Sequence, residues 1–154
     1  MFVEGTAASG SVDVAPNYPF GAGAGIVVAN DTYFEKNKAG QGGGIYLDPG
    51  CSLTMIEGEI RSNSYVTYSG GNSYGGGMFS GASAQVKMNR VLVVDNDAIT
   101  HGGAFYIAGS TLTLTMCNMS SNSAGNRGGA FYLTSSASIT LQAYNFELNT
   151  ASAG

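Results

Sequence analysis

The feature of this 154-residue chain that most constrains its fold is an internal repeat. An apolar residue, two variable residues and an asparagine recur along the chain, and the asparagines follow one another at intervals of 26, 33, 26 and 27 residues. The repeated asparagines are Asn37, Asn63, Asn96, Asn122 and Asn149. A second motif, Gly-Gly-(Gly/Ala)-apolar-aromatic, keeps the same period and begins at Gly42, Gly75, Gly102 and Gly128. Because one such unit cannot bury its apolar face alone, the repeat predicts stacked copies.

Between the motifs, apolar and polar residues alternate with a period of two. The positions ten and eight residues before each asparagine are apolar, as in Leu112 and Leu114, and the residue between them is polar in most copies, as in Thr113. This alternation predicts strands with one wet face, and no helical stripe interrupts it. We therefore expect an all-β fold with two or three short strands per repeat. The predicted architecture is a right-handed parallel β-helix, a solenoid of about five coils with about 26 residues per coil.

The motif residues suit the corners of such coils. Asparagine tolerates the left-handed backbone conformation of a tight corner, and stacked asparagines are expected to form a hydrogen-bonded structural ladder along the rod. Glycine pairs supply positive φ and let adjacent coils approach closely. Outward aromatic residues are expected to stack in one column, which comprises Tyr46, Phe79, Tyr106 and Tyr132.

Charged residues provide a test of this register. If the coils stack as the repeat predicts, Glu57 lies beside Arg90 and Glu35 lies beside Arg61. The long interval between Asn63 and Asn96 contains a polar stretch at residues 67–73, which we interpret as a seven-residue loop insertion.

The two ends of the chain resemble each other. The stretch beginning Phe2-Val-Glu-Gly is similar to the stretch beginning Phe146-Glu-Leu-Asn, which predicts that the chain begins and ends at the same phase of the coil, with an insertion around residues 15–19. We see no capping helix, and open solenoid edges invite pairing. Residues 1–154 are thus expected to form a single β-helix segment whose ends are covered by further coils of a longer chain or by copies stacked head to tail into a filament.

The alternation of Gly-Gly-(Ala/Ile)-type and Phe-x-x-Asn motifs resembles the repeats of chlamydial polymorphic membrane proteins and related surface β-helix proteins. The resemblance covers about Gly42 to Gly154. It implies an adhesin-like β-helix, extracellular or exposed at the cell surface, with a structural or adhesive role.

Composition argues against several function classes. Six Lys and Arg against ten Asp and Glu give a net charge of −4 with no basic patch, so nucleic acid is not an expected partner. No apolar run approaches the roughly 20 residues of a membrane span, so membrane insertion is not expected. Charged residues make up only 10% of the chain, which is too few for a solvated coiled coil or a charge-rich disordered tail.

Candidate catalytic and metal-binding residues are few. His101 stands alone beside a glycine pair and is expected to be a solvated turn residue, because a catalytic histidine needs a partner within reach. Asp95 and Asp97 flank Asn96 and could supply oxygen ligands to Ca²⁺, but no other coil repeats both. With Arg127 they are the best set for the alternative function, a polysaccharide-binding or polysaccharide-degrading β-helix. Because the other acids are scattered, we predict no enzyme, no catalytic residue, no metal site and no cofactor.

Two sequons and two cysteines complete the inventory of candidate sites. Asn30 and Asn118 fall on outward positions and are candidates for N-glycosylation if the protein is a secreted glycoprotein; the alternative is that both are simple exposed asparagines. Cys51 and Cys117 lie two coils apart on different faces, so we expect buried free thiols rather than a disulfide.

Two outward features bear on adhesion and on ice binding. Exposed aromatic residues would serve an adhesive surface that binds partners such as glycans, and the candidates are Tyr33, Tyr65, Tyr68 and Tyr74. An ice-binding face needs a regular threonine column. Thr54, Thr113 and Thr140 align, but Lys87 and Val28 interrupt the column, which argues against this function.

Overall fold

The computed structural model describes residues 2–4, 12–14, 25–66, 71–134 and 136–153. Within these residues the secondary structure is entirely β, with parallel strands stacked as a solenoid of about five turns and about 26 residues between equivalent positions. The predicted fold class is therefore confirmed. The strands are, in chain order, β1 Phe2–Glu4, β2 Val12–Val14, β3 Ile26–Glu35, β4 Lys38–Ala39, β5 Ile45–Leu47, β6 Ser52–Arg61, β7 Ser64–Tyr65, β8 Met78–Ser80, β9 Gln85–Asn89, β10 Leu92–Val94, β11 Asp97–Ala98, β12 Phe105–Ala108, β13 Thr111–Thr115, β14 Asn118–Ser120, β15 Ser123–Ala124, β16 Phe131–Thr134, β17 Ser138–Gln142, β18 Asn145–Glu147 and β19 Thr150–Ala151.

The coils that begin with the long strands β3 and β6 contain three strands, as predicted, whereas those that begin with β9 and β13 contain four. The coil that starts at β13 continues through β14 and β15 and ends with β16. Equivalent strands of successive coils pair in parallel: the first two types form a broad sheet, the strands after the glycine pairs form a second sheet, and the two-residue strands such as β11 and β15 form small sheets after the asparagines. A two-residue strand is too short to show an alternation of its own, which is why the sequence pattern missed it.

The tight corner at each ladder asparagine is formed by the residue before it. These preceding residues have φ values between 53° and 56°, and they are Lys36, Ser62, Asp95, Ser121 and Leu148. The expectation that asparagine itself takes the left-handed conformation is wrong. The buried asparagine side chain bonds to neighbouring coils, and the chain makes its sharp turn one residue earlier.

The two glycines of each pair have different physical roles. Gly75 has φ +65°, and a Cβ there would lie 2.0 Å from the carbonyl oxygen of Met78. A Cβ on Gly76 would lie 2.4 Å from the Asp97 carbonyl oxygen and 2.5 Å from that of Gly103 in the next coil. The first glycine therefore permits a turn and the second permits close approach of two coils, as predicted.

The core consists of the inward rows of the two larger sheets. Leu53, Met55, Leu112 and Leu114 of the broad sheet are at most 1% exposed. Side chains of the last coil, including Ile139, are only partly buried against this core. Burial of the apolar rows holds the coils together, because each coil is covered by the next.

The first coil differs from the prediction. β1 pairs with β3 so that Phe2 lies opposite Val28, not opposite Phe34, and Val12 of β2 lies opposite Ile45. The chain therefore does not enter at the phase suggested by the similarity between its ends, because backbone pairing, rather than a short match in sequence, sets the register of a parallel strand. The expected insertion around residues 15–19 lies outside the described residues, as does residue 68.

Candidate interaction surfaces of the solenoid

The asparagine ladder is the most regular polar feature of the molecule. Asn96 Oδ1 accepts hydrogen bonds from the backbone N–H and the side-chain Nδ2 of Asn63, at 3.1 and 2.9 Å. Asn96 Nδ2 donates to the Ile60 carbonyl at 2.8 Å and to Asn122 Oδ1 at 2.9 Å. Because the amide is buried and its partners come from adjacent coils, it locks their register. The predicted ladder is thus present from Asn37 to Asn149.

Exposed ion pairs lie where the register test placed them. Arg61 Nε donates to Glu35 Oε2 at 2.7 Å, and Arg90 Nη2 donates to Glu57 Oε1 at 2.6 Å. The hydrogen bond and charge of Glu35 raise the pKa of Arg61, so this side chain stays cationic. These surface pairs confirm the register and contribute little to stability.

The outward aromatic column also forms as predicted. The ring centroids are 5.1 Å apart between Tyr46 and Phe79, 5.2 Å apart between Phe79 and Tyr106, and 5.4 Å apart between Tyr106 and Tyr132. The rings pack against one another along the rod, so the column is suited to stiffening this side of the solenoid rather than to holding a ligand between free ring faces.

His101 is part of this packing. The expectation that it is a solvated turn residue is wrong. It is half-buried, and its ring stacks on Tyr132 at 4.2 Å and on Tyr74 at 5.8 Å. Its backbone forms parallel bridges to Tyr74 and Arg127. These residues each precede a glycine pair by one position, so aligning the chain on the glycines would have revealed the row. The stacking gives His101 a structural role.

The best acidic candidates are not brought together into a site. Asp97 Oδ1 accepts a hydrogen bond from Ser123 Oγ, and Asp95 occupies a corner with φ 55°. Arg127 belongs to the row of His101 instead. Among the described residues, no group of three or more His, Cys, Asp or Glu side chains is placed to hold a metal ion.

A shallow groove of about 250 Å³ lies on the outward face of the broad sheet. The predicted threonine column, interrupted by Lys87, is present: Thr54 lies opposite Lys87, and Thr113 lies opposite both Lys87 and Thr140. Lys87 adds one cation to the hydroxyl groups of this groove, and Ile56 adds an apolar side chain that is 37% exposed. Such a surface can offer hydrogen bonds and one positive charge to a hydroxylated or carboxylated ligand.

The two sequons differ in exposure, and the two cysteines do not. Asn118 is exposed, whereas Asn30 is half-buried and its Oδ1 is shielded from solvent, so only Asn118 is fully outward. Cys51 and Cys117 are buried and no disulfide joins them, as predicted. Burial raises the pKa of the Cys117 thiol, which favours its protonated form.

The tyrosines expected to form an exposed adhesive surface are not the most exposed apolar side chains. Tyr33, Tyr65 and Tyr74 are half-buried, while Tyr68 lies outside the described residues. The most exposed large apolar side chains in the described chain lie elsewhere, namely Ile26, Ile56, Met116, Leu133, Tyr144 and Leu148. Leu148, at 77% exposed, lies in the last coil, and Leu133, at 43%, lies in β16, the last strand of the second sheet.

Comparison with known proteins identifies one repeat family. A sequence profile described as the Chlamydia polymorphic membrane protein repeat matches residues 31–48. This stretch contains Phe34-x-x-Asn37 and the Gly42-Gly-Gly-Ile-Tyr46 motif, so the match confirms the resemblance read from the motifs. No curated protein matches the chain, and no solved structure does. No helix in the part of the chain that is described is long and apolar enough to cross a membrane.

Proposed function

We propose that this chain is a rigid, non-enzymatic segment of an extracellular cell-surface protein, with a structural and adhesive role. The observation that carries the proposal is the continuous ladder from Asn37 to Asn149, which ties successive coils together through buried amides. A rod held in this way keeps its shape without a ligand or cofactor, and its outward rows remain free to contact a partner. The similarity to the Chlamydia polymorphic membrane protein repeat supports the surface location.

End-to-end stacking is part of this proposal. The last coil exposes side chains that occupy core rows in the coils before it, which favours either flanking coils of the same protein or head-to-tail association of copies. The second mode gives a filament, because a contact between two different ends does not close.

The location can be tested with antibodies raised against the purified chain. Intact source cells should be labelled as strongly as permeabilised ones, and mild protease treatment of intact cells should remove the signal. A cytoplasmic protein of the same cells serves as the control, since it should be labelled only after permeabilisation. Labelling of this chain restricted to permeabilised cells would contradict the surface role.

Polysaccharide binding is the second candidate function, and the groove around Lys87 favours it. Chemical-shift titration with neutral and carboxylated oligosaccharides should perturb Thr54 and Thr113, and Lys87→Ala should weaken the carboxylated ligand at least about tenfold through loss of a charge-assisted contact. Lys38→Ala, which removes an exposed cation outside the groove, is the matched control. Equal binding by both variants would exclude the groove as the site, and release of new reducing ends would indicate degradation.

A further inference from the structure

The hydrogen bonds of the ladder have a direction. Asn122 Nδ2 donates to the Val93 carbonyl of the preceding coil at 3.0 Å. The backbone N–H and Nδ2 of Asn122 also donate to Asn149 Oδ1, at 3.1 and 2.8 Å. Asn149 Nδ2 repeats the first contact by donating to the Met119 carbonyl at 3.0 Å. Its backbone N–H and second amide hydrogen, however, have no acceptor among the residues that the structure describes.

The backbone N–H groups at the glycine corners also donate toward the following coil. Gly102 N donates to the Arg127 carbonyl at 3.0 Å, Gly103 N to the Gly128 carbonyl at 2.9 Å and Ala104 N to the Gly129 carbonyl at 3.0 Å. The equivalent donors of the last glycine corner are the backbone N–H groups of residues 128–130. Within the described ranges these three N–H groups have no acceptor, so this end of the solenoid presents a row of donors together with those of Asn149.

Apolar side chains line a recess between the two sets of donors. A recess of about 470 Å³ at this end is lined by both the glycine corner and Asn149. Leu133, in the row of the fully buried Ile107, is 43% exposed. Phe146, in the row of the fully buried Met119, is only partly buried. We call residues 128–133, together with Ile139, Leu141, Phe146 and Asn149, the terminal face.

We propose that the terminal face docks one further coil of the same repeat and selects it by its asparagine and its glycine pair. This proposal rests on the proposed function as an end-to-end solenoid, and it specifies the end, the contacting atoms and the sequence of the partner. The partner coil must place an amide oxygen over Asn149 and three successive carbonyls over residues 128–130. Its apolar rows then cover the recess, as each coil covers the one before it within the chain.

The sequence of the docked coil can be inferred from the contacts between coils inside the chain, because docking at the terminal face would repeat those contacts. The partner needs a glycine at the first position of its pair, because the accepting carbonyls surround that position: in the equivalent contact Gly128 has φ +69°, and a Cβ there would lie 2.0 Å from the Phe131 carbonyl oxygen. It also needs an asparagine 20 or 21 residues after that pair, as in Gly102 to Asn122 and Gly128 to Asn149. A simple anion could accept from the backbone donors but would leave Leu133 and Phe146 uncovered.

Hydrogen exchange on an extended chain tests the proposal. A copy of residues 128–154 added after Gly154 places a new asparagine 27 residues after Asn149, the interval that separates Asn122 from Asn149. Exchange of the amides of residues 128–130 and of Asn149 should slow at least about tenfold relative to the original chain. Two matched controls carry Asn149→Ala or Gly128→Ala in the added copy alone, and each should lose most of this protection.

The outcomes separate this proposal from the proposed function. If the four amides exchange as in the original chain, or if all three extended chains protect them equally, selection by the repeat is wrong. Equal protection of the original chain by inorganic phosphate would show an anion site instead of a docking face. In each of these cases Ile107 and Leu114 amides should remain protected. If these core amides exchange at unfolded rates, the solenoid itself, and with it the proposed function, is contradicted.

Discussion

At the scale of single residues, one buried asparagine amide per coil fixes the register of neighbouring coils, which the exposed contacts do not do. Asn96 is fully buried and bonds to the coils on both sides of it. An unsatisfied buried polar group costs about 1 to 3 kcal/mol, so the ladder penalises any slip of register at every coil. The exposed pair of Glu57 and Arg90 carries no comparable penalty, because water can replace either partner.

Replacing a central ladder residue should therefore be costly. Asn96→Ala leaves the Asn63 N–H and the Ile60 carbonyl without their partner, and we expect a loss of roughly 3 kcal/mol in the free energy of unfolding. Urea denaturation followed by circular dichroism measures it. Asn118→Ala, at an exposed position, should change stability by no more than about 0.5 kcal/mol. Similar midpoints for both variants would refute a structural ladder.

The Cys117 thiol predicts a loss of stability in alkaline solution. Burial raises its pKa above that of the unfolded chain, so above about pH 8.5 the unfolded state binds fewer protons than the folded state. Stability is then complete below the unfolded pKa and decreases as pH rises through the folded pKa. The urea midpoint should fall as pH rises above about 8.5, and Cys117→Ala should show a smaller fall. An unchanged fall in the variant would assign it to other groups.

At the scale of elements, the corners decide how closely coils can stack. The strands would tolerate many side chains on their outward positions, but the second glycine of each pair lies against backbone atoms of a neighbouring coil. The outward aromatic column and the row of His101 show how elements of successive coils then align, since a fixed corner repeats the same side-chain position in each coil.

Gly76 and Gly40 separate the effect of close approach from a general effect of glycine. Gly76→Ala places a Cβ 2.4 Å from the Asp97 carbonyl oxygen, which only a backbone shift can relieve, and should cost roughly 2 to 3 kcal/mol. Gly40→Ala meets nothing within 4 Å and should be neutral or slightly stabilising. Thermal unfolding of the two variants gives the comparison. If both variants lose the same stability, the close approach of two coils is not the reason that position 76 needs glycine.

At the scale of the whole molecule, stability should vary along the rod. In a solenoid each coil contacts only its neighbours, so a coil covered on one side has fewer stabilising contacts than a central coil. The burial pattern agrees, because Leu112 and Leu114 are at most 1% exposed while Ile139 and Leu141, in the same rows, are only partly buried.

Native-state hydrogen exchange measures this gradient with matched amides. Thr111 N donates to the Ala84 carbonyl at 3.0 Å and Ser138 N donates to the Ser110 carbonyl at 2.9 Å, so the two amides make the same bond one coil apart. Ser138 should exchange at least about tenfold faster, because the end coil opens without the rest. Equal rates would indicate that the rod unfolds as one cooperative unit.

The periodicity of the residues is enough to define the coil length, the inward rows and the ladder of asparagines. Repetition at a near-constant interval places equivalent residues above one another, so the pairing of Glu57 with Arg90 follows from the sequence alone. It could not determine which corner residue has positive φ, how the first strands enter, or where His101 packs. Those depend on backbone pairing and on neighbours outside the motifs. Only the tertiary structure showed the donors and apolar rows of the last coil, because exposure is a property of how coils cover one another.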